Sequence, residues 1–327
     1  MTNPLGEFGR IDRFFKPLAA GFAGARGLAD DAAVFGVPDG QELVVTVDAM
    51  VAGIHFLPDD LPGDIAAKLL RVNLSDLAAM GAEPYAYTLV TSLPRALGED
   101  WLAAFAAGLG EDQKRFGIQL AGGDSVSTSG PITLSVTAFG LVPRGQALPR
   151  RSERVGDPVF VTGTIGDAAL GLQVVLGALQ GQEGDGRGMA AQVARLRRPD
   201  PRVTVGPRLR GLAVSCIDVS DGLVADLGHL AEESGCAALL HAGSVPVPAA
   251  VGGDPDRLAL ALTGGDDYEL LFTAPEAARD ALAALAAETG VAITEIGRTV
   301  PGPAGRVDVL DARGAPLHLP QRGWDHF

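Results

Sequence analysis

The sequence predicts an α/β protein with mixed (α+β) sheets, built as two domains. Apolar runs of strand length alternate with segments of helical spacing along nearly the whole chain, as in mixed α/β architectures. At 327 residues the chain is long for one hydrophobic core, so two domains are expected. Apolar periodicity stops over 143–156, which is rich in arginine, proline and glycine. We therefore expect domains at residues 1–150 and 151–327.

The N-terminal half is predicted to contain two long helices after a partly helical start. Asp64–Met80 has helical apolar spacing with Gly81 as a fitting C-cap, and Glu99–Phe116 has the same spacing. Apolar and often β-branched runs, several of them bounded by turn residues, predict five strands. These strands are Ala32–Val37, Leu43–Val47, Tyr85–Ser92, Ile118–Ala121 and Ile132–Leu141.

The C-terminal half continues the alternation. The turn 163–166 (GTIG) opens a helix from Asp167, and it either presents N–H groups to a phosphate or allows close strand–helix packing. Ser220 and Asp221 precede a helix that reaches Ser234, so they are candidate caps of that helix as well as candidate ligands. The stretch 181–188 is predicted to be a flexible loop. Strands are predicted at Pro158–Thr162, Val214–Val219 and Tyr268–Thr273.

Composition excludes several classes of partner. The formal charge is −14, from 40 acidic and 26 basic residues, so we expect no nucleic-acid or anionic-membrane surface, because both need a basic patch. No apolar run reaches about 18 residues, so no membrane span is expected. The start lacks the layout of a secretory signal, and Cys216 and Cys236 are expected to be reduced structural thiols. These features favour the cytoplasm.

Missing motifs narrow the chemistry. The chain lacks GxxxxGK[ST], HRD, DFG and GxSxG, which excludes a P-loop and a protein kinase and leaves a hydrolase without a nucleophile. Its five histidines show no HExxH spacing, which argues against zinc. Only three lysines are present, so an acidic protein that binds phosphates must rely on arginine, backbone N–H groups or metal ions.

Aspartates stand at the ends of several apolar runs. Asp48, Asp124 and Asp218 follow such runs, whereas Asp30 and Asp31 precede one. Ligands gather at the carboxyl ends of strands in open α/β sheets. Each aspartate taken alone can equally be a helix N-cap or a turn former.

Asp76 is harder to explain structurally. It lies beside the buried stripe of the predicted helix, near Asn73, and a carboxylate there is costly to bury unless it is paired or bound to metal. Lys68 and Arg71 are not ideally spaced helical partners for it. Magnesium prefers oxygen ligands and is shared between carboxylates and substrate phosphates. We therefore expect Mg²⁺.

Eight segments together resemble the thiamine-monophosphate kinase family, of the ATP-binding superfamily that includes aminoimidazole ribonucleotide synthetase. They occur in the family's order and cover nearly the whole chain. The segments are GLADDAAV (27–34), TVDAMVAGIHF (46–56), NLSDLAAMGAEP (73–84), AGGDS (121–125), VTGTIGDAALG (161–171), IDVSDGLVADLGHL (217–230), TGGDDYELLF (263–272) and GWDHF (323–327).

The resemblance implies a two-domain aminoimidazole ribonucleotide synthetase-like fold. Residues 1–150 would bind ATP and Mg²⁺ and form a dimeric β-barrel, and residues 151–327 would form an α/β domain. The implied homodimer would transfer the γ-phosphoryl group of ATP to thiamine monophosphate, giving thiamine diphosphate in its biosynthesis. No catalytic general base is expected, because the acceptor phosphate is already anionic near neutral pH and several Mg²⁺ ions would offset the repulsion.

Position by position, the resemblance also implies three sets of site residues. The acceptor substrate would contact His55, Asp266 and Trp324. ATP would contact Gly123, Asp124, Arg150 and Ser220. The Mg²⁺ ligands would be Asp31, Thr46, Asp48, Asp76, Asp124, Asp218 and Asp221, with Asp30 as an additional candidate.

Two departures from the family and two rival readings stay open at the level of sequence. Asp266 stands where the family commonly has glutamate, and Trp324 stands where an aromatic residue, often tyrosine, is usual. The nearest rival is another enzyme of the superfamily, such as selenophosphate synthetase or aminoimidazole ribonucleotide synthetase. Selenophosphate synthetase usually has a reactive Cys or Sec near its N-terminus, whereas the first cysteine here is Cys216. The second rival is a catalytically silent ATP-binding protein of the hydrogenase-maturation type.

Overall fold

The computed structural model describes residues 6–152, 154–179, 186–321 and 323. The described chain divides into two compact units. The first lies within Met1–Leu77 and Ala82–Gly145, and the second within Ala78–Gly81 and Gln146–Phe327. None of the described helices is both long enough and apolar enough to cross a bilayer.

The first unit begins with short helical turns and then alternates strands and long helices. The short helix α1 (Glu7–Arg10) runs into a π-helical turn and two 3-10 turns that end at Leu28. Helix α2 was expected from residue 64 and begins at Pro62, whereas α3 has the predicted bounds. The remaining elements are β1 (Gln41–Val51), α2 (Pro62–Ala79), β2 (Glu83–Pro94), α3 (Glu99–Phe116), β3 (Gln119–Thr128) and β4 (Thr133–Pro143).

These strands form one open sheet in the order β1-β4-β2-β3. β4 pairs antiparallel with β1 and with β2, whereas β2 and β3 run parallel. β1 and β3 are therefore the two edges, and the described residues of one chain contain no closed barrel. The strand predicted at Ala32–Val37 is wrong: this segment is irregular. Its Val34 and Val37 are 55% and 42% exposed. A short apolar run therefore does not by itself show that a segment pairs with a neighbouring strand.

Helices α2 and α3 supply much of the core of the first unit. Leu69, Leu70 and Leu74 of α2 are fully buried. Arg71 of α2 pairs with α3. Its guanidinium makes two 2.7 Å hydrogen bonds to Asp112 of α3, a bidentate ion pair buried between the helices.

The second unit contains a six-stranded mixed sheet in the order β10-β7-β9-β5-β8-β6. Among the described strands of this sheet, β10 and β7 pair in parallel and the other pairs are antiparallel. Of the predicted loop 181–188, residues 181–185 lie outside the described chain, and α5 begins at Gly186. The elements are β5 (Pro158–Thr162), α4 (Asp167–Val175), α5 (Gly186–Arg197), β6 (Ser215–Asp218), α6 (Leu223–Glu233), β7 (Ala237–His241), α7 (Pro255–Thr263), β8 (Leu270–Thr273), α8 (Arg279–Thr289), β9 (Ile293–Val300) and β10 (Val307–Leu310).

Tyr87 on β2 provides a test of this core. Its side chain is fully buried, and its hydroxyl has no hydrogen-bond partner among the described residues. Burial, and then the nearby charge of Asp112, raise the pKa of this phenol. We expect Tyr87→Phe to raise the free energy of unfolding, measured by urea denaturation, by up to about 1 kcal/mol, because it removes an unpaired buried polar group. A loss of stability would show that the hydroxyl has a bound partner.

Candidate functional site

Asp48 and Asp76 lie side by side between β1 and α2. Thr46 and Asp48 are two residues apart on a strand and share one face, as do Asn73 and Asp76, three residues apart on a helix. The Thr46 hydroxyl donates a hydrogen bond to Asp76. The Asp48 amide donates to Asn73 Oδ1 at 3.1 Å, and the Ser135 hydroxyl donates to the Asp48 carbonyl at 3.0 Å. A neutral hydroxyl therefore bonds the Asp76 carboxylate, and two neutral side chains hold the main chain at Asp48.

The two carboxylates destabilise one another's charge. Burial, then the charge of Asp76 and a hydrogen bond with it, raise the pKa of Asp48 to about 7. A divalent cation would remove this repulsion, so the donor set of carboxylates, hydroxyl and amide oxygen fits magnesium.

The raised pKa of Asp48 predicts a stability change with pH. Its folded-state pKa of about 7 lies above the ordinary 3.8, so its contribution to stability is complete only below 3.8 and is lost progressively as the pH rises from there through about 7. In metal-free protein at pH 8, we expect Asp48→Asn to raise the free energy of unfolding by about 1 to 2 kcal/mol, a figure reduced because the side chain is only partly buried. At pH 5 the difference should be smaller, because only part of this loss has occurred there. Urea denaturation in a chelating buffer measures the free energy of unfolding at both pH values. A variant that is less stable than the unsubstituted protein at pH 8 would contradict the repulsion between Asp48 and Asp76.

The other predicted ligands of the first unit lie at the opposite sheet edge. Asp124 is on β3, whereas Asp48 is on β1, and the strand order separates them by three strand spacings, roughly 14 Å. Within the described chain, no three Asp, Glu, His or Cys side chains are arranged to hold one metal ion. One copy of the chain therefore brings together the pair Asp48–Asp76 but does not bring Asp124 to it.

Asp124 lines a cavity of about 380 Å³ at the β3 edge. Asp30 and Asp31 line the same cavity, and Asp30 forms a 3.0 Å ion pair with Arg26. Gly123 lies in its wall, where a Cβ atom would meet the Leu89 carbonyl at 1.9 Å. The tight pairing of β2 and β3 therefore accounts for glycine at 123 and leaves its backbone accessible to a ligand.

His55 is oriented by the turn that follows β1. Its Nδ1 accepts a hydrogen bond from the Val51 amide at 3.1 Å, which places the proton of the neutral ring on Nε2. The ammonium of buried Lys68 donates to the His55 carbonyl at 2.9 Å and thereby fixes the turn. Sequence reasoning considered Lys68 only as a partner for Asp76. The sequence contains only three lysines, and this scarcity was the available signal that Lys68 has a specific structural role.

In the second unit, Asp218 ends β6 and is buried, and Ser220 and Asp221 follow it. Neither of these two residues caps α6. Asp226, inside the helix, accepts from the amides of Asp221 and Gly222 at 3.1 and 3.2 Å. Burial, then the charge of Asp221, raise the pKa of Asp226 to about 7. The prediction that Ser220 or Asp221 caps α6 is therefore wrong, and their role as ligands stays a prediction.

The turn 163–166 does not expose its last amide. Gly166 N–H donates to the buried Asp267 carboxylate at 2.7 Å, and a Cβ at Gly166 would meet Ala261 at 2.3 Å. Close packing is therefore the explanation for this glycine. Burial raises the pKa of Asp267 well above its ordinary value.

The remaining predicted residues are only partly described. Arg150 is exposed. Asp266 is half-buried, just before β8, and accepts a hydrogen bond from the Tyr268 hydroxyl at 3.0 Å. Trp324 lies outside the described residues.

Comparison with known proteins decides the family. The model for AIR synthase related protein, N-terminal domain, matches residues 29–142, and that for the C-terminal domain matches residues 154–310. The chain is 41% identical to the thiamine-monophosphate kinase of Escherichia coli (strain K12), with 98% of each chain covered. The chain belongs to the thiamine-monophosphate kinase family. It is therefore an enzyme of the kinase class.

Solved structures of thiamine-monophosphate kinases share the fold. The crystal structure from Stenotrophomonas maltophilia K279a has a TM-score of 0.79 at 46% identity, covering 86% of this chain and 89% of that one. AaThiL complexed with AMPPCP and TMP has a TM-score of 0.76 at 30% identity, with both chains fully covered (100%).

The hydrogenase-maturation rival is similar in fold alone. HypE in complex with ATP has a TM-score of 0.79, but only 20% identity over 98% of this chain and 96% of that one. The thiamine-monophosphate kinase family, with its much higher identity, is the one to which the chain belongs.

Proposed function

We propose that the protein phosphorylates thiamine monophosphate to thiamine diphosphate at the expense of ATP, as a step of thiamine diphosphate biosynthesis in the cytoplasm. The full-length identity to thiamine-monophosphate kinases carries this proposal. The relative complexed with AMPPCP, an ATP analogue, and TMP supports the choice of both substrates. Two free, buried cysteines are consistent with a reducing compartment.

The transfer is direct. A terminal phosphate oxygen of thiamine monophosphate attacks the γ-phosphorus of ATP, the new P–O bond forms, and the bond to the β–γ bridging oxygen breaks to release ADP. The attacking oxygen is already anionic near neutral pH, so no side chain has to remove a proton. The task of the chain is to align two anions that repel each other.

We propose that acidic residues meet this need by holding several magnesium ions. Bound Mg²⁺ would neutralise phosphate charge and stabilise the charge that develops during transfer. The raised pKa of Asp48 supports the placement of a cation between Asp48 and Asp76. The proposed ligands are Asp31, Thr46, Asp48, Asp76, Asp124, Asp218 and Asp221.

We further propose that the functional form is a homodimer whose two open sheets close into one barrel. The edges β1 and β3 expose Val45, Val47 and Val126, at 56%, 62% and 47%. A second copy that places its β3 beside β1 would pair these edges, which otherwise leave backbone groups unpaired. Asp124 of the second copy would then lie near Asp48, across the gap that separates them within one chain.

The nucleotide and acceptor contacts follow the family assignment. We propose that ATP contacts Gly123, Asp124, Arg150 and Ser220. The acceptor substrate would contact His55, Asp266 and Trp324.

One assay tests the proposed function. Purified protein is incubated with ATP, Mg²⁺ and thiamine monophosphate, and the products are separated by chromatography. We expect thiamine diphosphate and ADP in equal amounts, and neither when a chelator replaces Mg²⁺. Formation of ADP without thiamine diphosphate would refute the assignment.

His55 should act on the acceptor alone. Its Nε2–H faces away from the Nδ1 bond to Val51 and can donate to an anionic oxygen. We expect His55→Ala to raise the KM for thiamine monophosphate about tenfold, the scale of one hydrogen bond to a charged group, and to change the KM for ATP less than about twofold. Steady-state kinetics with each substrate varied in turn measure both values. Equal increases for the two substrates would place His55 elsewhere.

A further inference from the structure

The segment Gly264–Tyr268, between α7 and β8, alternates between inward and outward side chains. Asp267 is 2% exposed, and Glu269, which follows the segment, is fully buried. Asp266 and Tyr268 are half-buried. The segment therefore has an anchoring side and a side that presents a carboxylate and a phenol.

Backbone contacts tie this segment to the end of β6. The Asp266 amide donates to the Ser220 carbonyl at 2.9 Å, and the Tyr268 amide donates to the Val219 carbonyl at 2.8 Å. A Cβ at Gly265 would meet the Ser220 carbonyl at 2.2 Å, so glycine is required for this approach. On the inner side, Asp267 accepts from the Gly166 amide. The main chain at Asp266 is held from both sides.

Both outward residues have a left-handed backbone. The φ angle is 72° at Asp266 and 52° at Tyr268. Aspartate tolerates this region, whereas for a bulky residue such as Tyr268 it is unfavourable and persists only where the surroundings enforce it. Such local strain is concentrated at ligand-binding sites and calls for a functional explanation.

The strained turn brings the two outward side chains into contact. The Tyr268 hydroxyl donates to Asp266 Oδ1 at 3.0 Å. Rotation about the last torsion of an aspartate is otherwise only weakly restricted, so an unrestrained carboxylate samples many orientations. The bond limits Asp266 to a narrow range of orientations before any ligand arrives.

We propose that Tyr268 is a positioning residue for the acceptor substrate: its hydroxyl holds the Asp266 carboxylate in the orientation that receives the thiamine moiety of thiamine monophosphate. This inference rests on the proposed function, in which Asp266 contacts the acceptor. Thiamine carries a positively charged thiazolium ring and an aminopyrimidine ring. A fixed carboxylate can attract the charge of the first or accept a hydrogen bond from the amino group of the second. Tyr268 acts through Asp266 and takes no part in the transfer of the phosphoryl group.

The test is a double-substitution cycle read by steady-state kinetics. We expect Tyr268→Phe to raise the KM for thiamine monophosphate about tenfold, while kcat and the KM for ATP change less than about twofold. In protein that already carries Asp266→Ala, the same Tyr268→Phe change should have no further effect on that KM. Tyr87→Phe, which removes a hydroxyl in the other unit, is the matched control and should leave all three constants unchanged.

Three outcomes would overturn the inference. The first is an unchanged KM for thiamine monophosphate in Tyr268→Phe. The second is an equal rise in both KM values, which a general folding defect would cause. The third is an undiminished effect of Tyr268→Phe in the Asp266→Ala protein. If the unsubstituted protein forms thiamine diphosphate and one of these results appears, only the role of Tyr268 fails. If it forms none, the proposed function itself fails.

Discussion

Asp48→Asn and Asp124→Asn should each lower kcat about a thousandfold or more while leaving the fold intact, because each removes a proposed ligand of the magnesium ions that would offset phosphate repulsion. An amide has nearly the size of the carboxylate, so circular dichroism and melting temperature should report a folded protein. Near-native rates in both variants would contradict their roles as metal ligands.

A mixture of these two inactive variants should regain activity. Within one chain, Asp48 and Asp124 lie on opposite edges of the sheet, so we propose that each site takes them from different copies. A dimer with one Asp48→Asn copy and one Asp124→Asn copy then has one damaged site and one complete site. We expect such a dimer, purified through two different tags, to show about half the native rate, as two-fold symmetry requires.

The pair Asp48 and Asp76 supplies the control for this experiment. The hydrogen bond from Thr46 to Asp76 and the effect of Asp76 on the pKa of Asp48 place both residues in the same copy. A mixed dimer of Asp48→Asn and Asp76→Asn copies therefore damages both sites and should stay inactive. Continued inactivity of the Asp48 and Asp124 mixture, with a dimer present on size-exclusion chromatography, would rule out the shared site.

The largest loss of stability is expected from Glu269→Gln. Glu269 is completely buried and receives the guanidinium of Arg195 at 2.8 Å, the Nε of Arg202 at 2.6 Å and the Thr162 hydroxyl at 2.6 Å. Gly163 is required beside it, because a Cβ there would meet the carboxylate at 2.1 Å. Glutamine removes the buried counter-charge of Arg195 and Arg202, at a cost of about 3 kcal/mol, although Arg202 keeps its 3.0 Å ion pair with the partly exposed Asp200.

Glu288→Gln is the matched control for this prediction. Its carboxylate pairs with Arg208, but both side chains are exposed, at 61% and 46%. The same chemical change should therefore alter the free energy of unfolding by less than about 1 kcal/mol. Urea denaturation followed by circular dichroism compares the two variants. Similar losses in both would show that burial does not govern the strength of the Glu269 contacts.

Much of the fold could be predicted because it follows from short-range patterns. The helix Glu99–Phe116 was placed correctly because its apolar spacing and the following Gly117, at φ 70°, mark its face and its end. The mixed α/β character followed from the alternation of such patterns. The segment Ala32–Val37 failed because a short apolar run does not specify a pairing partner.

Sequence by itself determined most of the element types, the family and the acidic residues available for phosphate chemistry, because these depend on residue identity and close spacing. Only the tertiary structure decided how distant residues meet. Strand order separated Asp124 from Asp48, and the packing of β1 on α2 brought Asp76 to Asp48. The packing of α2 against α3 brought Arg71 into its ion pair with Asp112. These partners are far apart along the chain, and their encounter depends on sheet order and helix packing, which local periodicity does not encode.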